Sequence, residues 1–296
     1  MKITVVDSKD VIRLCTVSES PRLFASSSSE YPIAADQKAV RDGNMLIANT
    51  ERDLALEISD NASIKFDEDC VIALTGADFG VSSGGRTIPR LKAYMLDAGD
   101  TLEIEREGNG KYLYVCINGS FAEDSPAFLS GGDSAEIVDA MENVDDPEIR
   151  VLSDDPPQKE VTLRLIPGPF ADEYDMRDLD LLYTIRFTVM SADRKGITLT
   201  AHELTASPCS DYPVLSPEGT VTVDENGHPY ISLADSPETS RKKGAAVVIS
   251  ADMPKLSQLS EGCFVSFEPC TINAAQKLAL KKRKEYIRRY LAMNDI

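Results

Sequence analysis

The sequence contains no tryptophan and only two histidines, His202 and His228, among its 296 residues. None of its six cysteines is spaced as Cys-x-x-Cys. A structural zinc site requires closely spaced Cys and His residues, so no metal site is predicted. No apolar run is long enough to span a membrane, and the first residues contain no long apolar segment typical of a signal peptide. Cys70 and Cys116 lie in apolar runs that suit reduced, buried thiols, so we expect a cytoplasmic protein without a membrane partner.

Positive charge is also scarce. The chain has 31 Lys and Arg against 49 Asp and Glu, which gives a net charge of −18. An acidic surface repels phosphates, so general nucleic-acid binding is not expected. The glycine-rich stretch SSGGRT (82–87) lacks the lysine of a phosphate-binding loop. Hydrophobic residues make up 42% of the chain, which is ordinary for a globular protein.

Most of the chain is predicted to be β-structure. Short runs rich in Val, Ile, Leu and Thr, such as VIAL (71–74) and KYLYVCI (111–117), are separated by Gly, Asp and Asn turn signals. Helices are predicted over 36–49 and over 134–144, the latter with Ser134 as N-cap, and one short turn over 251–259.

A domain boundary is predicted in the acidic segment DDPEIRVLSDDPPQKE (145–160), whose three prolines disfavour both helix and central strand. This gives an N-terminal domain over 1–150 and a C-terminal domain over 160–296. The last segment, NAAQKLALKKRKEYIRRYLAMNDI (273–296), is predicted to be a basic helix. Its charges suit either the helix dipole and an acidic body, or a nucleic-acid or membrane-binding tail.

Several motifs in order along the chain resemble one family. They are ALTGAD (73–78), LRLIPGPFADEY (163–174), FTVMSADRKGITLTA (187–201), GTVTVDENGHPYISLAD (219–235) and VVISADMPKLSQLSEGCFVSF (247–267). Together they resemble the allophanate hydrolase subunit 2 family. That family includes the C subunit of the bacterial ATP-dependent 5-oxoprolinase, the KipA proteins and half of the carboxyltransferase region of urea carboxylase.

The resemblance implies a mainly β fold with two cyclophilin-like β-barrel domains, a few short helices and the C-terminal helix. It also implies a composite site formed with a KipI-like homologue of the B subunit, a homologue of the A subunit as a further partner, and ATP bound at the level of the complex. Two segments depart from the family pattern: SESPRLFASSSSEYP (18–32), and SPETSRKKG (236–244) where Gly-Gly-Tyr-Pro is usual. These departures leave open a non-catalytic regulatory or binding subunit, as the KipA members are described.

Two groups of polar residues are the candidate site. Thr75 and Asp78 follow the apolar run 71–74, where they either bind substrate or bond the turn locally. Ser191, Asp193 and Arg194 lie in SADRKG, and Asp235 ends a later strand. Asp193 and Arg194 are the predicted catalytic residues, because an arginine fork holds an anionic oxygen, with a surface ion pair as the alternative. Thr75, Asp78, Ser191 and Asp235 are the predicted substrate-binding residues.

Overall fold

A computed structural model describes residues 1–18, 31–139 and 150–293. The chain divides into two compact units between Pro157 and Gln158. Described residues 1–18, 31–139, 150–157 and 288–293 form the first unit, and described residues 158–287 form the second. The divergent segment 18–32 lies largely outside the described residues. No helix in the described part of the chain is long and apolar enough to cross a membrane.

The described residues of the first unit form thirteen strands, the helix α1 (Gln37–Leu46) and the end of a longer helix that begins in the second unit. The strands are β1 (Lys2–Ser8), β2 (Ile12–Cys15), β3 (Ala55–Ile58), β4 (Ala62–Phe66), β5 (Cys70–Gly76), β6 (Gly80–Ser83), β7 (Arg86–Thr87), β8 (Ala93–Leu96), β9 (Thr101–Glu105), β10 (Leu113–Ile117), β11 (Ser120–Phe121), β12 (Phe128–Leu129) and β13 (Ser134–Val138). They form a seven-stranded sheet in the order β11-β13-β1-β4-β9-β6-β7 and a six-stranded sheet in the order β12-β2-β3-β10-β5-β8.

The two sheets share one hydrophobic core. Ile64 and Phe66 of the first sheet and Ile72 and Leu74 of the second belong to the same buried cluster. The alternate residues of β5 and β10 are also buried, on the face where both strands contact α1. Burial on both faces explains why these strands are apolar without alternation.

Helix α1 is fixed at both ends. Asp36 is its N-cap, and its carboxylate accepts a hydrogen bond from the Ala39 N–H at 3.1 Å. At the other end the Arg150 guanidinium donates to the carbonyls of Met45 (2.9 Å) and Leu46 (2.7 Å). A cation at the C-terminus of a helix satisfies free carbonyls and opposes the helix dipole.

The second unit is a closed seven-stranded barrel in the order β14-β21-β18-β19-β16-β15-β22. Its strands, and those of a separate two-stranded sheet of β17 and β20, are β14 (Glu160–Pro167), β15 (Phe187–Ala192), β16 (Gly196–Thr200), β17 (Cys209–Leu215), β18 (Thr220–Val223), β19 (Pro229–Ser232), β20 (Thr239–Lys242), β21 (Ala246–Val248) and β22 (Phe264–Pro269). The unit's helices are α2 (Met176–Thr184), α3 (Met253–Ser257) and the long α4 (Ile272–Met293), which begins here and ends in the first unit.

The mainly β fold with few helices and a C-terminal helix confirms the predicted fold class. The helices predicted over 36–49, 251–259 and the last segment are present as α1, α3 and α4. The helix predicted over 134–144 is wrong where the structure describes it, because residues 134–138 form β13. Ala135 and Ile137 alternate into the core while β13 pairs with β1, so tertiary pairing overrides the local helical pattern. Residues 140–144 lie outside the described part.

Candidate functional site

The segment after β5 is a tight strand exit. Gly76 has a φ of 85°, a left-handed conformation that glycine adopts without strain. The Ala77 N–H donates to the Tyr112 carbonyl at 2.8 Å, and the Asp78 N–H donates to the Asn109 carbonyl at 2.7 Å. A Cβ on Gly108 would lie 2.1 Å from the Asp78 carbonyl oxygen. The neighbouring glycine-rich turn therefore fixes the position of Asp78.

Thr75 and Asp78 have different surroundings. Thr75 is buried, and its Oγ1 donates to the Ala39 carbonyl of α1 at 2.8 Å, so this hydroxyl joins the sheet to the helix. The Asp78 side chain is 53% exposed and lies beside Arg90. Of these two residues, Asp78 is the one a ligand can reach without unpacking the core.

Arg90 is a positively charged residue that the sequence analysis did not identify. Its Nη1 donates to the Gly76 carbonyl at 3.1 Å, and its Nε lies 3.9 Å from Asp78 Oδ1. Burial lowers the pKa of the Arg90 guanidinium below its ordinary value, and the charges of Asp78, Asp154 and Asp36 oppose that shift. An isolated X-Pro-Arg in a loop has no spacing signal that could have pointed to this residue.

A second charged group lies on α1. Lys38 Nζ donates to Asp42 Oδ2 at 2.7 Å and also to the carboxylate of Asp154. Burial opposes the charge on Lys38, but the two carboxylates outweigh it and raise the pKa of its ammonium group. Burial also raises the pKa of Asp42, against the effect of Lys38. The i, i+4 spacing of Lys38 and Asp42 could have been found in the sequence, but the distant Asp154 could not.

A buried network underlies the start of α1. Glu57 is fully buried, and its Oε2 accepts hydrogen bonds from the Ala35 N–H (2.9 Å) and the Tyr114 hydroxyl (2.8 Å). The same hydroxyl oxygen accepts from the Asp36 N–H at 2.8 Å. Burial, and next the charge of Glu57, raise the pKa of Tyr114 well above its ordinary value, so the hydroxyl stays protonated. The network orients the residues that lead into α1.

In the second unit Arg194 and Asp235 form a bidentate pair. Arg194 Nε lies 2.8 Å from Asp235 Oδ2, and Nη2 lies 2.9 Å from Oδ1. The Asp235 N–H also donates to the Arg194 carbonyl at 2.8 Å. Arg194 is only 6% exposed, whereas the Asp235 side chain is 46% exposed. The fork predicted to hold a substrate oxygen therefore holds a carboxylate of the same chain.

Asp193 lies in the turn between β15 and β16. Its Oδ1 accepts from the backbone N–H groups of Lys195 (2.7 Å) and Gly196 (2.9 Å), which makes it a turn-forming aspartate. Ser191 is exposed at the end of β15. Ser191 is the penultimate residue of β15, and Asp193 and Arg194 lie in the turn that follows. Asp235 follows β19 and pairs with Arg194. Thr75 and Asp78 belong to the other unit. Among the described residues no group of three or more His, Cys, Asp or Glu could hold a metal ion.

Comparison with known proteins gives one family match. The family described as carboxyltransferase domain, subdomain A and B, matches residues 34–132 and 127–269. The 5-oxoprolinase C subunit of Haemophilus influenzae is 26% identical over 263 residues, which cover 84% of this chain and 85% of that protein. The 5-oxoprolinase C subunit of Escherichia coli is 25% identical over 272 residues, 86% and 87% of the two chains.

Solved structures share the fold. Urea carboxylase of Kluyveromyces lactis has a TM-score of 0.84 at 18% identity, over 97% of this chain and 29% of that one. The protein TTHA0988 has a TM-score of 0.79 at 23% identity, over 90% of this chain and 55% of that one. This chain therefore spans little more than half of TTHA0988 and under a third of the carboxylase.

Proposed function

This chain belongs to the carboxyltransferase subdomain A and B family, and from that premise we propose that it acts as the C subunit in an ATP-dependent 5-oxoprolinase complex. One observation carries the proposal: the similarity to two proteins named as C subunits of 5-oxoprolinase extends over more than four fifths of every chain compared. The similarity to urea carboxylase supports only the fold, because the identity is 18%.

The proposal includes partners. The relatives are named as one subunit of several, and we propose that a homologue of the B subunit completes the site and a homologue of the A subunit joins the complex. ATP is then bound by the complex in the cytoplasm. The interface with the B-subunit homologue is expected to bury about 1,000 Å² or more, as specific associations do.

The proposed reaction opens a lactam ring. The γ-phosphoryl group of ATP is transferred to the lactam oxygen and ADP leaves. Water then adds to the lactam carbon and the C–N bond breaks, which opens the ring to γ-glutamyl phosphate. A second water hydrolyses this acyl phosphate to glutamate and phosphate. Arg194 holds the anionic oxygen and Asp193 positions it, with Ser191 and Asp235 beside the substrate. For Arg194 to do so with its Nε–Nη2 edge, Asp235 has to release one of its two hydrogen bonds to the guanidinium. Thr75 and Asp78 belong to the first unit and are the remaining predicted substrate-binding residues.

Reconstitution tests this function. The chain is co-expressed with homologues of the B and A subunits, and ATP-dependent glutamate formation is measured. We expect turnover, and we expect Arg194→Lys to reduce it because lysine cannot form the bidentate fork. The matched control is Arg241→Lys, at an exposed position of β20. A well-assembled complex without turnover would refute the enzymatic proposal.

The second candidate is a non-catalytic regulatory subunit. The pairing of Arg194 with Asp235 favours it, since the predicted anion-holding group is already satisfied within the chain. In this case the chain still binds the B-subunit homologue and alters its activity without adding catalytic groups. Size-exclusion chromatography with light scattering distinguishes both of these proposals from a self-sufficient protein, for which the two chains would elute independently at micromolar concentration.

A further inference from the structure

The Arg90 guanidinium has hydrogen-bonding capacity that the first unit does not use. A guanidinium carries five N–H donors. Among the described residues its one hydrogen bond runs from Nη1 to the Gly76 carbonyl. The buried Nε has no acceptor, because the Asp78 carboxylate at 3.9 Å is beyond hydrogen-bond distance. Nε and Nη2 form one edge of the planar group, and neither nitrogen has a hydrogen-bond acceptor among the described residues.

The backbone holds Arg90 in place at some cost. Leu91 has a φ of 61°, a left-handed conformation that is strained for a bulky residue. It is retained because the Leu91 N–H donates to the Leu74 carbonyl (2.7 Å) and the Leu91 carbonyl accepts from the Leu152 N–H (2.8 Å). A strained backbone conformation persists only where the surrounding contacts fix it, and such positions cluster at active sites and ligand-binding sites.

We propose that the Nε–Nη2 edge of Arg90, which has no acceptor, is a binding site for the carboxylate of a small substrate, and that this carboxylate displaces the Asp78 side chain toward solvent. A carboxylate offers two coplanar oxygens that match two parallel N–H groups. Asp78 is able to move, since its side chain is half exposed. In this role Asp78 competes with an acidic substrate for Arg90, and Arg90, not Asp78, makes the binding contact.

The surroundings select a singly charged ligand. Asp154 and Asp36 lie near enough to affect the Arg90 guanidinium electrostatically. A phosphate monoester carries about two negative charges at neutral pH, so these aspartates repel it more strongly than they repel one carboxylate. The inference rests on the proposed function for the identity of the ligand, 5-oxoproline, whose only charge is its carboxylate.

Binding measurements test the site. The full chain, alone and in complex with its B-subunit homologue, is titrated by calorimetry with 5-oxoproline and with 2-pyrrolidinone, the same ring without the carboxylate. We expect Arg90→Gln to raise the Kd for 5-oxoproline by about tenfold to a hundredfold, the value of a charge-assisted hydrogen-bond pair. It leaves the weak binding of 2-pyrrolidinone unchanged. Asp78→Asn removes the competing charge and lowers the Kd for 5-oxoproline, which provides a test independent of any folding defect in the arginine variant.

Arg86→Gln is the matched control, because Arg86 is exposed on β7 four residues away. The inference is overturned if neither preparation binds 5-oxoproline, or if Arg90→Gln binds it as tightly as the wild type does. Should Arg90→Gln also leave the KM of a reconstituted complex unchanged, the proposed function stands without this site. If the complex has no turnover but 5-oxoproline still binds through Arg90, the site stands and the proposed function fails.

Discussion

At the residue scale, buried charged side chains are stabilised by specific hydrogen-bond and ion-pair partners. Asp252 has no exposed surface, and it accepts hydrogen bonds from Arg164 Nε (2.7 Å), Nη2 (2.6 Å) and the Arg164 backbone N–H (3.0 Å). Burial alone would raise the pKa of Asp252, but these bonds outweigh it and hold the pKa below the ordinary value of 3.8. A carboxyl whose pKa is lower in the folded state stabilises the fold at neutral pH and loses that contribution in acid.

Replacing Arg164 tests this pair. Arg164→Met leaves Asp252 buried without its hydrogen-bonded cation, and Lys255 Nζ, 3.8 Å from Oδ1, is the remaining positive charge. We therefore expect the free energy of unfolding at pH 7 to fall by about 3 kcal/mol. As the pH falls below 3.8, the Asp252 carboxylate is protonated first in the unfolded chain and then, at its lower folded pKa, in the native state, so the difference between variant and wild type shrinks. Urea unfolding at pH 7 and pH 3 measures both effects, with Arg241→Met as the exposed control. An equal loss at both pH values would contradict the assignment.

The Tyr114 hydroxyl is the second residue-scale test. Tyr114→Phe removes the donor to Glu57 and the acceptor for the Asp36 N–H in a fully buried place. We expect a loss of about 1 to 3 kcal/mol in the free energy of unfolding, the usual cost of an unsatisfied buried polar group. Tyr94→Phe is the control, since no hydrogen bond of its hydroxyl is seen among the described residues. Equal melting temperatures for the two variants would show that the network contributes nothing.

At the element scale, α1 lies unusually close to the sheet. A Cβ on Gly43 would lie 2.4 Å from Cys116 Sγ and 3.2 Å from Thr75 Oγ1. From the sequence alone, a glycine inside a helix is expected to destabilise the helix by about 1 kcal/mol relative to alanine. The structure shows the reason for it, because any larger residue would push the helix away from β5 and β10.

Gly43→Ala is therefore expected to destabilise the protein, although alanine is the better helix former. Overpacking in a filled core costs about 1 to 3 kcal/mol, more than the gain in helix propensity. Thermal unfolding measures whether Gly43→Ala lowers or raises the melting temperature. The double variant Gly43→Ala with Cys116→Ala removes the contacting sulfur and should recover most of the loss. A stabilised single variant would show that α1 can shift away at no cost.

At the scale of the whole molecule, each unit has a core of its own. The barrel of the second unit encloses a cluster that includes Phe187, Ile197 and Val265. Its first and last strands, β14 and β22, pair in parallel along six residues, Glu160 to Leu165 against Phe264 to Pro269, and close the barrel. A closed barrel leaves no unpaired edge strand, which removes the main reason for a β domain to depend on a neighbour.

Independent folding of the second unit is the prediction at this scale. Residues 158–287 expressed alone are expected to show one cooperative unfolding transition and a β-type circular dichroism spectrum, because their core is complete. The comparison is a fragment over 176–287, which lacks β14 and so cannot close the barrel; it is expected to be unfolded or aggregated. A fragment 158–287 without a cooperative transition would mean that its core is stable only within the full chain.

The candidate site was only partly predictable. The sequence shows polar residues at strand ends, namely Asp193, Arg194 and Asp235. They can be recognised locally because turns are formed by a small set of residue types. The pairing of Arg194 with Asp235 joins residues 41 positions apart, and no local pattern reports it. Arg90 and Asp154 were missed for the same reason: their importance depends on which carbonyls and charges the fold places beside them.

The sequence by itself determined the mainly β class, the helices α1, α3 and α4 and the family, because hydrophobic period, capping residues and motif order are properties of short segments. Only the tertiary structure decided that residues 134–138 form a strand, since pairing with β1 outweighs a helical pattern. It also decided that Arg194 forms a bidentate pair with Asp235, whereas the buried Nε of Arg90 has no acceptor among the described residues. Hydrogen-bond partners and burial arise from contacts between distant segments, and these exist only once the chain is folded.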